Sequence, residues 1–185
     1  GIAGPVLFLY FAASAVAIPG WVALARRIGK HQTWCLAVVG SCIFFAGAPF
    51  LGAGDTVWYV IIVAGTGLMI GADLALPSAI NGDLIEWDEW HNGQRRPGLF
   101  FALWGTASKL AFALAVGIIF PLLDLVGFSA QGDNSAQAVR LLAILYGAPS
   151  IGLKLVAVAM MARFPIDESE HRSLRERLGA RAAAV

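Results

Sequence analysis

Long apolar runs separated by short polar segments make up most of the chain. Five of these runs are predicted to be membrane-spanning helices, over residues of about 4–25, 33–52, 56–82, 97–127 and 137–163. Each run is near or above the roughly 20 apolar residues that an α-helix needs to cross the hydrocarbon core of a bilayer. The pattern therefore predicts an all-α fold, a polytopic membrane helix bundle over 1–163, with a cytoplasmic tail over 164–185.

Composition supports the membrane class and excludes one group of partners. Hydrophobic residues make up 58% of the chain and charged residues 14%, whereas a soluble domain carries about 25% charged residues. The formal net charge is only +1, so the chain has no strongly basic face that could neutralise nucleic-acid phosphates. A lipid bilayer is the expected partner, and nucleic acid is not.

The basic residues are distributed unevenly between the two sides of the predicted bundle. One side carries ten of them, and the other carries only Arg140. Because cytoplasmic loops are enriched in lysine and arginine, the ten-residue side is predicted to be cytoplasmic, with the N-terminus outside and the C-terminus inside. The ten residues are Arg26, Arg27, Lys30, Arg95, Arg96, Arg163, Arg172, Arg175, Arg177 and Arg181.

Three charged residues lie deep inside predicted spans, near the midplane of the membrane: Asp73, Lys109 and Lys154. A charge at the centre of a spanning helix costs about 2.5–3.5 kcal/mol on insertion scales, so each should have a partner or a wet cavity. Asp73 and Lys109 lie at matched depth on consecutive antiparallel spans, so an ion pair between them is possible. Such a pair could line a solute pathway or simply pack the bundle, and Lys154 could instead face a neighbouring domain.

Small residues on the third span form a second feature of the bundle. Gly65, Gly67 and Gly71 share one face of this span, and such a face allows another helix to approach closely. Close helix packing is the expected role of these glycines.

A charged segment between the third and fourth spans has two open interpretations. It is either a solvated cytoplasmic connector or a gate that closes through carboxylate–arginine contacts. Its acids could also bind a hard cation through their oxygen atoms, but the neighbouring arginines favour salt bridges, and no metal site is predicted. The segment contains Asp83, Glu86, Asp88, Glu89, His91, Arg95 and Arg96.

No catalytic triad is recognisable in the sequence, because none of the three histidines pairs with a plausible nucleophile. The chain is therefore not expected to be an enzyme. Two alternatives to transport stay open at this point. One is a small integral-membrane enzyme that modifies lipid head groups, and the other is a membrane scaffold in which Asp73 and Lys109 are sealed by their neighbours.

Two stretches resemble a known transporter family. The sequence DLIEWDEWHNGQRRPG at 83–98, followed eleven residues after Gly98 by Lys109, resembles the glycoside–pentoside–hexuronide:cation symporters, the melibiose-permease-like branch of the major facilitator superfamily. The stretch IPGWVALARRIGKHQTW at 18–34 is similar to the eighth helix and basic loop of that family. The resemblance places the chain at helices eight to twelve of a twelve-helix transporter whose two bundles bind the substrate near the midplane.

The resemblance implies the C-terminal part of a cation-coupled symporter for a sugar, glycoside or related solute, working by alternating access. Lysolipid carriers belong to the same branch, so a lysolipid is the alternative solute. A coupling Na⁺ or H⁺ is expected, with its main site in an N-terminal bundle outside this chain, and no covalent cofactor is expected. The expected location is a bacterial inner membrane.

The expected functional residues form two groups. The substrate cavity is expected to be lined by Asp73, Lys109, Trp104 and Lys154. The cytoplasmic gate is expected to consist of Asp83, Glu86, Asp88, Arg95 and Arg96. Gly82 departs from the family pattern, which suggests alanine before the first acid of the loop, and Asp73 has no assured counterpart in the sugar-binding members.

Overall fold

The computed structural model describes residues 3–52, 54–129, 132 and 134–162. The described residues form five long helices and one 3₁₀ turn, and they contain no strand. All five helices are long and apolar enough to cross a membrane, which confirms the all-α membrane bundle. The elements are α1 (Ala3–Ile28), α2 (Lys30–Gly47), the 3₁₀ turn (Ala48–Phe50), α3 (Thr56–Asn92), α4 (Pro97–Asp124) and α5 (Ala136–Met161). The tail over 164–185 lies outside the described residues.

Helix α3 is much longer than the span predicted from its apolar run. It contains 37 residues, or about 55 Å at 1.5 Å per residue, whereas the hydrocarbon core is about 30 Å thick. The acidic segment 83–92, expected to be part of a connecting loop, is helical, and that expectation was wrong. No proline or glycine interrupts this segment, so nothing stops the helix before Gly93, which adopts a left-handed conformation with φ of 68°.

The connector between α3 and α4 is consequently short. It comprises residues 93–96, and Pro97 then occupies the first turn of α4. Proline is favoured at that position because its missing N–H has no helical acceptor in the first turn. The charged residues before Gly93 are therefore held on a rigid helix and not on a flexible loop.

Two backbones approach each other closely where α1 packs against α3. A Cβ atom added at Gly67 would lie 2.6 Å from the carbonyl oxygen of Tyr10, and one added at Gly71 would lie 2.7 Å from that of Ser14. The indole nitrogen of Trp21 also donates a hydrogen bond of 2.7 Å to the carbonyl oxygen of Leu68. Gly67 and Gly71 thus bring two backbones into direct contact, as predicted, whereas Gly65, predicted on the same face, lies against the ring of Phe44 on α2.

The buried core lies among α1, α2 and α3. Helices α4 and α5 together expose most of their described large apolar side chains. The core cluster consists of Ala25, Ala37, Ala72, Leu76 and Ile80.

Candidate functional site

A cavity of about 760 Å³ lies among α1, α2, α3 and α5. Small-molecule sites in proteins are typically concave, largely apolar and of this size, with a few polar groups that fix the orientation of the ligand. Here the polar and charged side chains come from four different helices, so their convergence depends on the packing of the whole bundle. The polar lining residues are Tyr10, Ser41, Tyr59, Thr66, Asp73, Ser150 and Lys154.

Asp73 contributes the negative charge of the cavity. Its carboxylate accepts a hydrogen bond of 2.6 Å from the indole N–H of Trp34 on α2. Hydrogen bonds to ionised acceptors are short and about twice as strong as neutral ones. Trp34 therefore fixes one carboxylate oxygen, and Asp73 faces the cavity from α3.

Lys154 contributes the positive charge and comes from α5. Its ammonium donates a hydrogen bond of 2.7 Å to the hydroxyl of Ser41 and lies 5.6 Å from the centroid of the Phe45 ring, within the range of a cation–π interaction. The charge of Lys154 acts on Asp73 across the cavity, but the structure forms no salt bridge between these two described residues. The cavity thus holds two separated opposite charges.

Two of the residues expected at the cavity lie elsewhere in the described structure. Lys109 and Trp104 are exposed on α4, and neither lines this cavity. The possible Asp73–Lys109 ion pair is not formed in the described structure, where Asp73 accepts a hydrogen bond from Trp34 and Lys109 is exposed on α4.

Among the residues that sequence reasoning missed, Trp34 and Ser41 are the ones that bond to the two charges of the cavity. The indole N–H of Trp34 was the one signal in the sequence that this residue could donate a hydrogen bond within the bundle. Ser41 gave no signal at all, because only the packing of α5 against α2 brings Lys154 to it.

Two of the predicted gate residues, Asp88 and Arg96, form a salt bridge at one end of the bundle. Arg96 makes a bidentate contact with Asp88, with two nitrogen–oxygen distances of 2.7 and 2.9 Å from Nη2 and one of 3.1 Å from Nε. Asn92 donates a further bond of 2.6 Å to the same carboxylate. Arg95 lies 3.7 Å from Glu89, which is a much looser contact. The Asp88–Arg96 pair closes the turn between α3 and α4.

Asp83 bonds to a different part of the chain. The ammonium of Lys30, at the start of α2, contacts both carboxylate oxygens of Asp83, at 2.6 and 2.7 Å. This pair ties α2 to the extension of α3, and Glu86 lies half-buried on the same extension. Within the described ranges, no group of three or more His, Cys, Asp or Glu side chains could hold a metal ion.

Comparison with known proteins assigns the family. The family described as MFS/sugar transport protein matches residues 3–168. The isoprimeverose transporter of Lactiplantibacillus pentosus is 29% identical over 168 residues, which are 88% of this chain and 34% of that protein. The sodium-dependent lysophosphatidylcholine symporter 1 of Gallus gallus is 24% identical over 176 residues, which are 94% of this chain and 33% of the relative. The glucuronide carrier protein homolog of Escherichia coli (strain K12) is 24% identical over 166 residues, which are 88% of this chain and 35% of that protein.

This chain spans about a third of the length of these relatives. The matches confirm the resemblance to this transporter family and the expectation that the chain is not an enzyme. The chain belongs to the MFS/sugar transport protein family, a family of membrane transporters.

Proposed function

We propose that this chain forms the C-terminal part of a cation-coupled secondary transporter that moves a sugar, glycoside or related solute by alternating access. The observation that carries the proposal is the pair of separated charges, Asp73 and Lys154, facing one cavity within helices that are long enough to span a membrane. Ionisable residues inside membrane spans are costly and usually mark a solute or ion pathway.

The chemistry of the cavity suits a polyhydroxylated solute. A carboxylate such as Asp73 accepts hydrogen bonds from hydroxyl groups, and the serine, threonine and tyrosine hydroxyls of the lining can donate or accept. The apolar remainder of the lining can contact the less polar faces of a sugar ring. Relatives named for isoprimeverose and glucuronide are consistent with such a solute.

The salt bridges at one end of the bundle support a gating role. In this proposal the Asp88–Arg96 and Lys30–Asp83 pairs lie on the cytoplasmic side and hold α2, α3 and α4 together as a rigid body. The rest of the full-length protein supplies the N-terminal bundle, against which this body rocks, and the main site of the coupling Na⁺ or H⁺. A bacterial inner membrane is the proposed location.

A lysolipid is the second candidate solute. The observation that favours it is the match to the lysophosphatidylcholine symporter, which covers 94% of this chain. A lysolipid would place its polar head group in the charged cavity and its acyl chain along the exposed apolar helices.

Uptake by the full-length protein tests the proposal. Proteoliposomes containing the purified protein, with an imposed Na⁺ or pH gradient, would be offered radiolabelled isoprimeverose, a glucuronide and lysophosphatidylcholine in separate experiments. We expect a gradient to accelerate the uptake of at least one sugar, and we expect Asp73→Asn to abolish that uptake without changing the amount of reconstituted protein.

Ser78→Ala is the matched control, because Ser78 is exposed and its hydroxyl bonds only to its own helix. If lysophosphatidylcholine is taken up and neither sugar is, the lysolipid is the solute and the sugar assignment is wrong. Gradient-driven sugar uptake that is unchanged in Asp73→Asn would contradict the assignment of this cavity.

A further inference from the structure

A second cavity, of about 570 Å³, lies at the end of α4 that is opposite the Asp88–Arg96 salt bridge. It shares no described lining residue with the cavity among α1, α2, α3 and α5. Its volume is typical of sites for small organic groups. The described lining is apolar or aromatic except for one carboxylate, and it consists of Phe120, Pro121, Leu123, Asp124 and Phe128.

The cap of α4 brings an aromatic ring back to the last turn of the helix. Gly127 adopts a left-handed conformation, with φ of 66°, which glycine adopts readily. The chain then folds back, so that the N–H of Phe128 donates to the carbonyl oxygen of Leu123 at 3.0 Å. The N–H of Gly127 donates to the carbonyl oxygen of Asp124 at 2.9 Å. This pair of bonds is a Schellman cap, and it brings Phe128 to the same cavity as Asp124 and Phe120.

The electrostatics of this end of α4 favour a cation. Asp124 is the last residue of the helix, and no basic residue lies in the last turn. The carboxylate therefore adds to the negative pole of the helix dipole and does not compensate it. Asp124 forms no salt bridge with any described lysine or arginine, including Arg140 on the next helix. A cation from outside the described chain would compensate this charge.

The aromatic rings and the position along α4 indicate which kind of cation fits. The faces of phenylalanine rings attract ammonium groups, and a carboxylate accepts hydrogen bonds from the N–H donors of a primary ammonium. Asp124 ends a helix of 28 residues that begins at Pro97, a length of about 40 Å, close to that of a bilayer with its head groups. Phe120 and the neighbouring Leu125 are 65% and 82% exposed, so an acyl chain can lie against them.

We propose that this cavity binds the head group of a phosphatidylethanolamine molecule of the surrounding bilayer. The carboxylate of Asp124 accepts hydrogen bonds from the ammonium, the rings of Phe120 and Phe128 contact the same cation, and the acyl chains lie along α4. This lipid is a bound structural ligand and not the transported solute, because its site is separate from the cavity that holds Asp73 and Lys154. Lipid binding here therefore does not depend on which solute the protein carries.

A set of lipids tested on the wild-type protein provides the first test. The melting temperature of the purified full-length protein in detergent would be measured against the concentration of phosphatidylethanolamine, phosphatidylglycerol, N-acetyl-phosphatidylethanolamine and free ethanolamine. We expect saturable stabilisation by phosphatidylethanolamine, with an apparent Kd lower by a factor on the order of 10 than that of the N-acetyl lipid, which lacks the ammonium.

Three results of this test would overturn the inference. Equal stabilisation by all three lipids would show that the ammonium is not recognised. An equal effect of free ethanolamine would show that a soluble amine is the ligand and that the lipid assignment is wrong. No stabilisation by phosphatidylethanolamine is the result expected if a basic side chain of the full-length protein fills the cavity instead.

Variants of the lining provide the second test. Asp124→Asn should raise the apparent Kd for phosphatidylethanolamine by a factor on the order of 10 to 100, because hydrogen bonds between charged partners are lost. Phe120→Leu and Phe128→Leu keep an apolar side chain but remove a ring, and each should raise this Kd by a factor of about 2–5. If Asp124→Asn leaves the Kd unchanged, phosphatidylethanolamine binds elsewhere and the inference is wrong.

Matched controls are available on the same helix and on the same side of the bundle. Phe112→Leu removes a ring that is 76% exposed on α4 and does not line the cavity. Asp55→Asn removes an exposed carboxylate from the connector between α2 and α3, which lies on the same side as the end of α4 because successive spans alternate in direction. Neither variant should change the apparent Kd for phosphatidylethanolamine. A loss of affinity in Asp55→Asn equal to that in Asp124→Asn would overturn the inference, because it would show that the lipid senses only net charge.

Discussion

The close contact between α1 and α3 yields a prediction whose size follows from the geometry. A Cβ atom at Gly67 would lie 2.6 Å from the carbonyl oxygen of Tyr10, 3.2 Å from its Cα and 3.3 Å from the Cβ of Ala13, whereas ordinary van der Waals contact begins at 3.4 Å. Two of these three atoms belong to the backbone, so a change of side-chain rotamer cannot relieve the clash. Gly67→Ala must therefore move α1 itself, and overpacking of this kind costs about 1–3 kcal/mol.

Gly82→Ala is the matched control on the same helix. A Cβ atom at Gly82 would meet no atom within 4 Å. The free energy of unfolding of this variant should therefore rise by roughly 1 kcal/mol, because alanine has a higher helix propensity than glycine. Because Gly67→Ala gains the same helix propensity, the two variants should differ only by the cost of overpacking, about 1–3 kcal/mol in the free energy of unfolding. Thermal unfolding of the purified full-length protein in detergent measures the difference. Equal melting temperatures for Gly67→Ala and Gly82→Ala would refute the direct backbone contact.

Three further predictions concern side chains. Trp34→Phe should lower the free energy of unfolding by about 1.5–3 kcal/mol, because it removes the N–H donor to a charged acceptor. A melting temperature equal to that of the wild type would show that the hydrogen bond to Asp73 contributes nothing to stability. Asp88→Arg or Arg96→Asp alone should impair transport, and the double exchange should restore part of it, as measured by solute uptake. If the double variant loses as much uptake as the two single variants together, the segment is a solvated connector and not a gate. The thiol of Ser135→Cys should react with an impermeant reagent only from the extracytoplasmic side of oriented vesicles. Reaction only from the cytoplasmic side would show that the topology is the reverse of the one proposed.

Sequence patterns predicted the elements of this fold better than their ends. Runs of apolar residues indicate a span because the hydrocarbon core demands a minimum length, and Gly67 and Gly71 indicate a close contact because only glycine leaves room for it. The end of α3 was missed because the change from apolar to charged residues marks the membrane boundary, not the end of the helix. Local backbone chemistry decides that end, and Gly93 provides it.

The cavity was predicted only in part for a different reason. Position along a helix gives an expected depth in the membrane, and that reasoning singled out Asp73 and Lys154, which line the same cavity in the structure. It gives neither the rotation of a helix about its axis nor the identity of its neighbours. Lys109 at matched depth therefore looked like the partner of Asp73, whereas the packed bundle turns Trp34 toward it. The contact of Lys154 with Ser41, 113 residues away in the sequence, is beyond any local pattern.

Protection of the cavity by solute tests the central claim most directly. In the full-length protein with Cys35 and Cys42 replaced by alanine, Ser150→Cys would place one thiol in the cavity lining, and Ser135→Cys would place one outside it. Saturating solute should slow alkylation of the thiol at position 150 severalfold and leave the rate at position 135 unchanged. If the protein still transports and the thiol at position 150 reacts at the same rate with and without solute, the solute does not occupy this cavity and the account is wrong.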